Sequence, residues 1–279
     1  MTNGFVLGGG GSLGAFSVGV LRWLVVDKGI RPDVVTGTST GALAAVLAAT
    51  GEAGLLSDLY TNVQTRDVLH RSLVGDAGLI LHGYVNSVEP LRELIDTYFT
   101  PRRLQKIRDR GVQLRIASTN MQTGAVEYGT QADSLERLKT FVLASACQPA
   151  LMPTIQIGSH DYLDGGIMQM LPVQAALDAG ATKIYACAAF AAPGARPPIT
   201  RRFPNEPGTD VLNYTLRRAI LLMATQQVDD TLALMQERGV DLTAFRPASS
   251  LAPDPLEFDP AQMAAMVDQG YLRAKSILP

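Results

Sequence analysis

Val34-Val35-Thr36-Gly37-Thr38-Ser39-Thr40-Gly41-Ala42-Leu43-Ala44 is the stretch around which this chain is organised. An apolar run leads into Gly-x-Ser-x-Gly, and an Ala/Leu-rich run follows, which predicts a strand, a sharp turn and a helix. Gly37 and Gly41 allow a turn too tight for side chains, so Ser39 is expected at its tip with an exposed hydroxyl. An ordinary strand–helix turn explains the same pentapeptide, and a catalytic reading requires an oxyanion hole and a base elsewhere in the chain.

The composition places the chain among ordinary folded proteins. It has 279 residues, of which 47% are hydrophobic and 18% are charged, with a net charge of −2. This slightly negative net charge provides no positive electrostatic field that would attract nucleic acid. The absence of a signal-like N-terminus and of a long apolar run predicts a cytoplasmic protein, with attachment at a membrane periphery left open. Cys147 and Cys187 lie in apolar sequence and are expected to be buried thiols.

The glycine run after the first predicted strand has two interpretations. Gly9-x-Gly11-x-x-Gly14 resembles a dinucleotide-binding loop, but the next strand lacks the acidic residue at its carboxyl end that would hold a ribose. The glycines can instead turn backbone N–H groups into a cavity that Ser39 also faces. Gly9, Gly10 and Gly11 are therefore the candidate oxyanion donors, and Gly14 is a supporting motif residue.

Two bases for Ser39 are considered. A Ser39–Asp133–His160 triad can be written, but His160 falls on a polar hairpin turn, where a solvated histidine is the better interpretation. Asp164 follows a predicted strand and precedes Gly165 and Gly166, so the backbone there can approach another group closely. An aspartate has a low pKa and is a weak base in water, so this choice depends on close placement and a strong oxyanion hole.

Taken together, these segments resemble the patatin-like phospholipase family. The family's oxyanion segment matches Gly9–Gly14, its nucleophile elbow matches Gly37–Gly41, and its Asp-Gly-Ala/Gly element matches Asp164–Gly166. Its Ala-Ser-x-x-x-Pro segment matches the run beginning at Ala144-Ser145. The likeness spans about residues 5–189. It implies a three-layer α/β/α fold with a mostly parallel central sheet, and hydrolysis of lipid acyl esters by a Ser39–Asp164 dyad without metal or cofactor.

Two positions depart from the family pattern. Leu13 stands where an Arg or Lys is common, and Met170 stands where an Asn is frequent. A basic residue at the first position would help to bind an acidic head group, so an ester other than a phospholipid is an open alternative. A non-catalytic lipid-binding or scaffold protein on the same fold is a second alternative.

The remaining segments predict one domain over residues 1–279, with the motifs in about 4–190 and a C-terminal helical extension over about 208–279. Residues 73–84 form an apolar, glycine-broken stretch that predicts either a loop packed on the core or a flap that touches lipid. Residues 209–236 predict a long helix. Its apolar stripe of Leu212, Leu216, Ala219, Ile220 and Met223 is expected to pack on the core, to form a homodimer or to meet a membrane surface.

Overall fold

The computed structural model describes residues 1–71, 84, 86–196, 209–251 and 254–279. The glycine-broken stretch predicted over residues 73–84 lies outside this range except for Tyr84. The irregular segment predicted after Phe190 is described only as far as residue 196.

The strands are short and spread over most of the chain. The strands are β1 (Asn3–Leu7), β2 (Val34–Thr38), β3 (His70–Arg71), β4 (Asn86–Ser87), β5 (Gln113–Asn120), β6 (Val126–Thr130), β7 (Ile155–Ile157), β8 (His160–Asp164), β9 (Lys183–Cys187) and β10 (Leu242–Phe245).

The helices alternate with these strands along most of the chain. They are α1 (Ala15–Arg22), α2 (Thr40–Thr50), α3 (Ala53–Asn62), α4 (Thr65–Val68), α5 (Glu89–Tyr98), α6 (Pro101–Asp109), α7 (Leu135–Ala146), α8 (Val173–Asp178), α9 (Thr209–Glu237) and α10 (Pro260–Ile277). Several begin at the predicted caps. The Asp259 side chain, for example, accepts the backbone N–H of Gln262 at 2.8 Å at the start of α10.

A mixed sheet forms the middle layer, in the order β10-β9-β1-β2-β5-β8-β7, with β6 also paired to β5. The first five strands of this order run parallel, whereas β6, β7 and β8 join by antiparallel pairing. Helices cover both faces of the sheet, so the expectation of a three-layer α/β/α fold with a mostly parallel sheet is confirmed. Cys147 and Cys187 are both buried free thiols, as the sequence predicts.

The C-terminal part of the chain is packed into the same core. β10 extends the sheet by pairing parallel to β9. α10 crosses α1 closely, because Gly19 and Gly270 lie at the contact: a Cβ on Gly270 would lie 2.0 Å from the backbone oxygen of Phe16. Residues 209–279 therefore contribute a strand as well as helices.

The apolar stripe on α9 is only partly covered. Leu216 and Ile220 are half-buried, Ala219 and Met223 are exposed, and the side chain of Leu212 is not among those described. Of the helices that the structure describes, none combines the length and the apolar character needed to cross a bilayer.

Candidate active site

Ser39 occupies a strained turn between β2 and α2. Its backbone has φ 55° and ψ −124°, a conformation that costs a residue with a side chain on the order of 1–3 kcal/mol. The turn is compact because Gly41 packs against β1: a Cβ there would lie 2.1 Å from the carbonyl oxygen of Leu7. The backbone N–H of Ser39 donates to Oγ of the fully buried Ser145 at 2.9 Å. The strained serine is thus held by a specific partner.

Asp164 lies beside the same part of β5 as Ser39, although it ends a strand that runs in the opposite direction. In the parallel pairing of β2 with β5, Thr38 is the partner of Ala117. In the antiparallel pairing of β8 with β5, Asp164 is the partner of Ser118. Ser39 directly follows Thr38, so Ser39 and Asp164 flank Ser118 on its two sides.

Several hydrogen bonds fix the backbone and carboxylate of Asp164. Its N–H donates to the carbonyl of Cys147 at 2.9 Å, and its carbonyl accepts the hydroxyl of Thr119 at 3.0 Å. Its Oδ1 accepts the backbone N–H of Gly166 at 2.7 Å, and the Ser39 side chain lies close enough to the carboxylate to favour its ionised form. The serine and the aspartate therefore face each other at short range.

Burial changes the acidity of this carboxyl group. Asp164 is 4% exposed, and desolvation raises its pKa from 3.8 to about 6, although the hydrogen bonds from Ser39 and Gly166 act in the opposite direction. An aspartate in water is a weak base because of its low pKa, and the buried position of Asp164 changes that condition. A carboxylate with a pKa near 6 is a better proton acceptor near neutral pH.

The glycine run lies against Ser39. Some of the backbone N–H groups in this run donate to carbonyl groups of the protein, and others do not. The N–H of Gly9 donates to the carbonyl of Met170 at 3.1 Å, and that of Ser12 donates to the carbonyl of Pro255 at 2.8 Å. The N–H groups of Gly10 and Gly11 donate to no acceptor within the described part of the chain. Of the three predicted donors, Gly10 and Gly11 therefore remain free to bind an anionic oxygen, whereas Gly9 is engaged.

Every glycine singled out from the sequence lies where a side chain would not fit. A Cβ on any of them would come within 3.0 Å of another heavy atom; these residues are Gly9, Gly10, Gly11, Gly14, Gly37, Gly41, Gly165 and Gly166. The neighbouring atom is backbone at Gly11, Gly37, Gly41 and Gly165, and a side-chain atom at the other four. Gly11 additionally has φ 58°, in the region that favours glycine.

The two departures from the family pattern are both apolar side chains inside this packing. Leu13 is 5% exposed and belongs to the hydrophobic core. Met170 lies between the glycine run and the aspartate turn: a Cβ on Gly9 would meet its sulfur at 2.6 Å, and one on Gly166 would meet its methyl carbon at 2.4 Å. Neither position has room for a solvated charge.

A largely apolar pocket of about 500 Å³, including its open mouth, leads to Ser39. Its wall contains Ser39, Gly11, Thr40 and Gln148 among mostly aliphatic and aromatic side chains, which are Leu43, Val68, Leu69, Leu91, Ala146, Leu151, Met152, Leu256 and Phe258. This mostly apolar lining with a few polar groups is typical of a small-molecule site, and the apolar surface suits a hydrocarbon chain.

The residues of the alternative triad are not brought together. Asp133 follows β6, whose last residue, Thr130, is paired with Arg115. Arg115 lies toward the N-terminal end of β5, whereas Ser39 lies beyond Thr38, the partner of Ala117. The Asp133 carboxylate accepts a hydrogen bond from the N–H of Thr130 at 2.8 Å and forms an ion pair with Arg137 at 3.1 Å. His160 begins β8, four residues before Asp164, which is on the order of 13 Å along an extended strand. The structure therefore does not assemble a Ser39–Asp133–His160 triad.

Three contributors to the site were missed by sequence reasoning. The Ser145 segment was noted, but not the hydroxyl that binds the Ser39 N–H. Gln227 of α9 donates to the carbonyls of Gly166 and Ile167 at 3.1 and 3.0 Å and accepts the N–H of Met170 at 3.2 Å. Residues 254–258 supply part of the pocket wall. The last two lie far along the chain and carry no motif, so no local signal marks them.

The fold and this arrangement define a class of α/β proteins in which a strained serine, a buried aspartate and a glycine run meet beside an apolar pocket. The chain belongs to the patatin-like phospholipase family, whose model matches residues 5–177, more than half of the sequence. Family membership supports lipid acyl hydrolase activity in general.

The comparison with solved structures supports the same fold. VipD from Legionella pneumophila is similar with a TM-score of 0.56 and 14% sequence identity, covering 99% of this chain and 66% of the VipD chain. At this identity the likeness concerns the fold alone. A comparison with curated proteins gives no significant match.

Proposed function

We propose that this protein is a lipid acyl ester hydrolase, of the phospholipase A, lysophospholipase or carboxylesterase type, that uses Ser39 as nucleophile and Asp164 as base. The observation that carries the proposal is that Ser39 lines an apolar pocket and that its side chain interacts at short range with the buried Asp164 carboxylate. The pocket would hold the acyl chain while the ester carbonyl lies at Ser39.

In the acylation step, Ser39 Oγ attacks the ester carbonyl carbon and its proton passes to the Asp164 carboxylate. The carbonyl oxygen becomes an oxyanion, which the N–H groups of Gly10 and Gly11 would bind, because they donate to no acceptor in the described part of the chain. The tetrahedral intermediate then collapses. The bond to the alcohol breaks, and the departing alkoxide takes the proton from Asp164, which leaves the acyl group on Ser39.

In the deacylation step, Asp164 accepts a proton from a water molecule that attacks the acyl carbonyl. A second tetrahedral intermediate releases the carboxylic acid, and Asp164 returns its proton to Ser39. The raised pKa of about 6 supports this role, because the group is both ionised near neutral pH and basic enough to accept a proton.

The direct test combines a chromogenic ester with a lipid mixture. The purified protein is expected to release p-nitrophenol from p-nitrophenyl butyrate and free fatty acid from a mixed lipid extract, with the products identified by mass spectrometry. Ser39→Ala and Asp164→Ala should lose at least about a thousandfold in kcat, while His160→Ala should retain full activity.

Two results would contradict the proposal. Full activity of Asp164→Ala would refute the dyad. A folded wild-type protein that binds lipid but releases no acid or alcohol would instead favour the non-catalytic lipid-binding alternative. The identity of the released lipid products then decides between phospholipid and other ester substrates.

A further inference from the structure

Residues 254–258 cross directly over the glycine run, although they lie far beyond the residues matched by the family model. The carbonyl of Pro255 accepts the N–H of Ser12 at 2.8 Å. The same oxygen would lie 2.1 Å from a Cβ on Gly11, so only a glycine permits this approach. The 254–258 segment is therefore in backbone contact with the loop that carries the candidate oxyanion donors.

Both ends of the segment are anchored. At one end, Nη2 of Arg217 on α9 donates to both carboxylate oxygens of Asp254 at 2.9 Å. The same carboxylate accepts the N–H of Leu256 at 2.9 Å. At the other end, Phe258 and Thr65 of α4 share three hydrogen bonds. The Phe258 N–H donates to Thr65 Oγ1 at 2.9 Å, and the Phe258 carbonyl accepts the Thr65 N–H at 3.1 Å and the Thr65 hydroxyl at 3.4 Å. The segment thus bridges α9 and α4.

Between these anchors, Leu256 and Phe258 line the pocket that leads to Ser39. Phe258 is 9% exposed, so its ring is held in place and does not project into solvent. The other lining residues lie within the part of the chain that matches the family model. The 254–258 segment therefore supplies the part of the pocket wall that lies outside the region matched by the family model.

We propose that Leu256 and Phe258 are the specificity-determining residues for the acyl chain, and that the Arg217–Asp254 ion pair holds them in place. This inference rests on the proposed hydrolase function. Both side chains are hydrocarbon and cannot transfer a proton, so they set which acyl chain fits and leave the chemistry to Ser39 and Asp164. One methylene in a fitted apolar pocket changes discrimination by roughly tenfold or more, so a change in wall volume should be visible in chain-length preference.

The test is a series of p-nitrophenyl esters from acetate to laurate, measured as kcat/KM for each. Phe258→Ala enlarges the pocket and is expected to raise the laurate-to-butyrate ratio at least about tenfold. Leu256→Trp fills the pocket and is expected to lower that ratio by a similar factor. General destabilisation lowers kcat/KM for all esters together, so it cannot shift the laurate-to-butyrate ratio in opposite directions in the two variants. Leu272→Ala, at an exposed position on α10, serves as the control and should leave the ratio unchanged.

The anchor is tested with two neighbouring arginines. Arg217→Ala is expected to change the laurate-to-butyrate ratio, because it releases Asp254, whereas Arg218→Ala is expected not to, because Arg218 makes no ion pair with any residue the structure describes. Circular dichroism checks the fold of each variant, and Phe258→Leu replaces Phe258→Ala if the latter unfolds.

The outcomes separate the two proposals. An unchanged chain-length ratio in folded Phe258 and Leu256 variants, with an active wild type, would overturn the wall assignment and leave the hydrolase intact. Equal loss on all esters would overturn it as well. A wild type that is inactive on the whole series would refute the hydrolase itself.

Discussion

Ser39 and Asp164 meet across Ser118, although they belong to strands that run in opposite directions. Ser39 arrives from the end of the parallel strand β2, and Asp164 arrives from the end of the antiparallel strand β8. The Ser39 side chain lies close enough to the Asp164 carboxylate to favour its ionised form, and the N–H of Gly166 donates to Oδ1 of the same carboxylate. The predictions below follow from this contact and its supports.

The pH dependence of kcat/KM should report the ionisation of Asp164. Burial raises its pKa to about 6. The logarithm of kcat/KM for a p-nitrophenyl ester should therefore rise by one per pH unit below about pH 6 and then reach a plateau. Rates are followed at the isosbestic wavelength of p-nitrophenol. His160→Ala should show the same profile. A midpoint near pH 4, or a profile that depends on His160, would contradict this assignment.

Asp164→Asn should stabilise the folded protein at alkaline pH. Between pH 3.8 and about 6 the folded protein keeps a proton that the unfolded chain has released, so stability falls as the pH rises through this window. The full shift corresponds to about 3 kcal/mol, which is lost above pH 7. Urea unfolding at pH 8 should show the variant more stable by about 1–3 kcal/mol, and at pH 4 the gain should be largely gone.

The matched control for this comparison is Asp268→Asn, at an exposed position on α10. It should change stability by less than about 0.5 kcal/mol at either pH. A stability gain from Asp164→Asn that is equal at pH 4 and pH 8 would show that the charge of Asp164 is not its cause.

Gln227 is expected to act as a positioning residue through the aspartate turn. Its amide binds the carbonyls of Gly166 and Ile167 and the N–H of Met170, whereas the neighbouring Gln226 binds only Asp230 on the same helix. Gln227→Ala should lower kcat by about tenfold with little change in KM, because the base is less well placed. The pH midpoint should also rise, since the Gly166 hydrogen bond that lowers the Asp164 pKa is weakened.

Gln226→Ala provides the comparison on the same helix and should match the wild type in kcat and pH midpoint. If both glutamine variants lose activity equally, or if Gln227→Ala leaves kcat and the pH midpoint unchanged, the positioning role is wrong.

The tight turn around Ser39 predicts opposite effects for two glycines. Gly41→Ala places a Cβ 2.1 Å from the Leu7 carbonyl, a backbone atom that cannot move aside, and should cost more than about 2 kcal/mol of folding stability. Gly54→Ala, on α3 with no atom within 4 Å of its Cβ position, should gain about 0.5–1 kcal/mol. Thermal unfolding of the two variants measures the difference. Similar stabilities would contradict the close packing of the turn.

Local patterns predicted the parts of the site that depend on neighbouring residues. The strand, turn and helix around Ser39, the two hairpins, and the glycines flanking Asp164 all follow from periodicity and turn chemistry. The antiparallel register of β8 does not, because its partner Ser118 lies 46 residues earlier in the chain. The raised pKa of Asp164 likewise depends on burial by distant segments.

The same limit explains the oxyanion donors and the pocket wall. The sequence proposed Gly9, Gly10 and Gly11 together, because it could not show that the carbonyl of Met170 occupies the N–H of Gly9. Gln227 and the 254–258 segment have no motif and reach the site only through the tertiary fold. The family could thus be inferred from three short motifs, whereas the pocket wall and the support of the aspartate turn could not.

Labelling by a fluorophosphonate probe tests the central claim most directly, because the probe reacts with an activated serine and needs no knowledge of the substrate. In the folded wild type, mass spectrometry should find the adduct on Ser39; Ser39→Ala should abolish it, Asp164→Asn should slow it at least about a hundredfold, and His160→Ala should not affect it. A folded wild-type protein with no adduct on Ser39, or equally fast labelling in Asp164→Asn, would contradict the account.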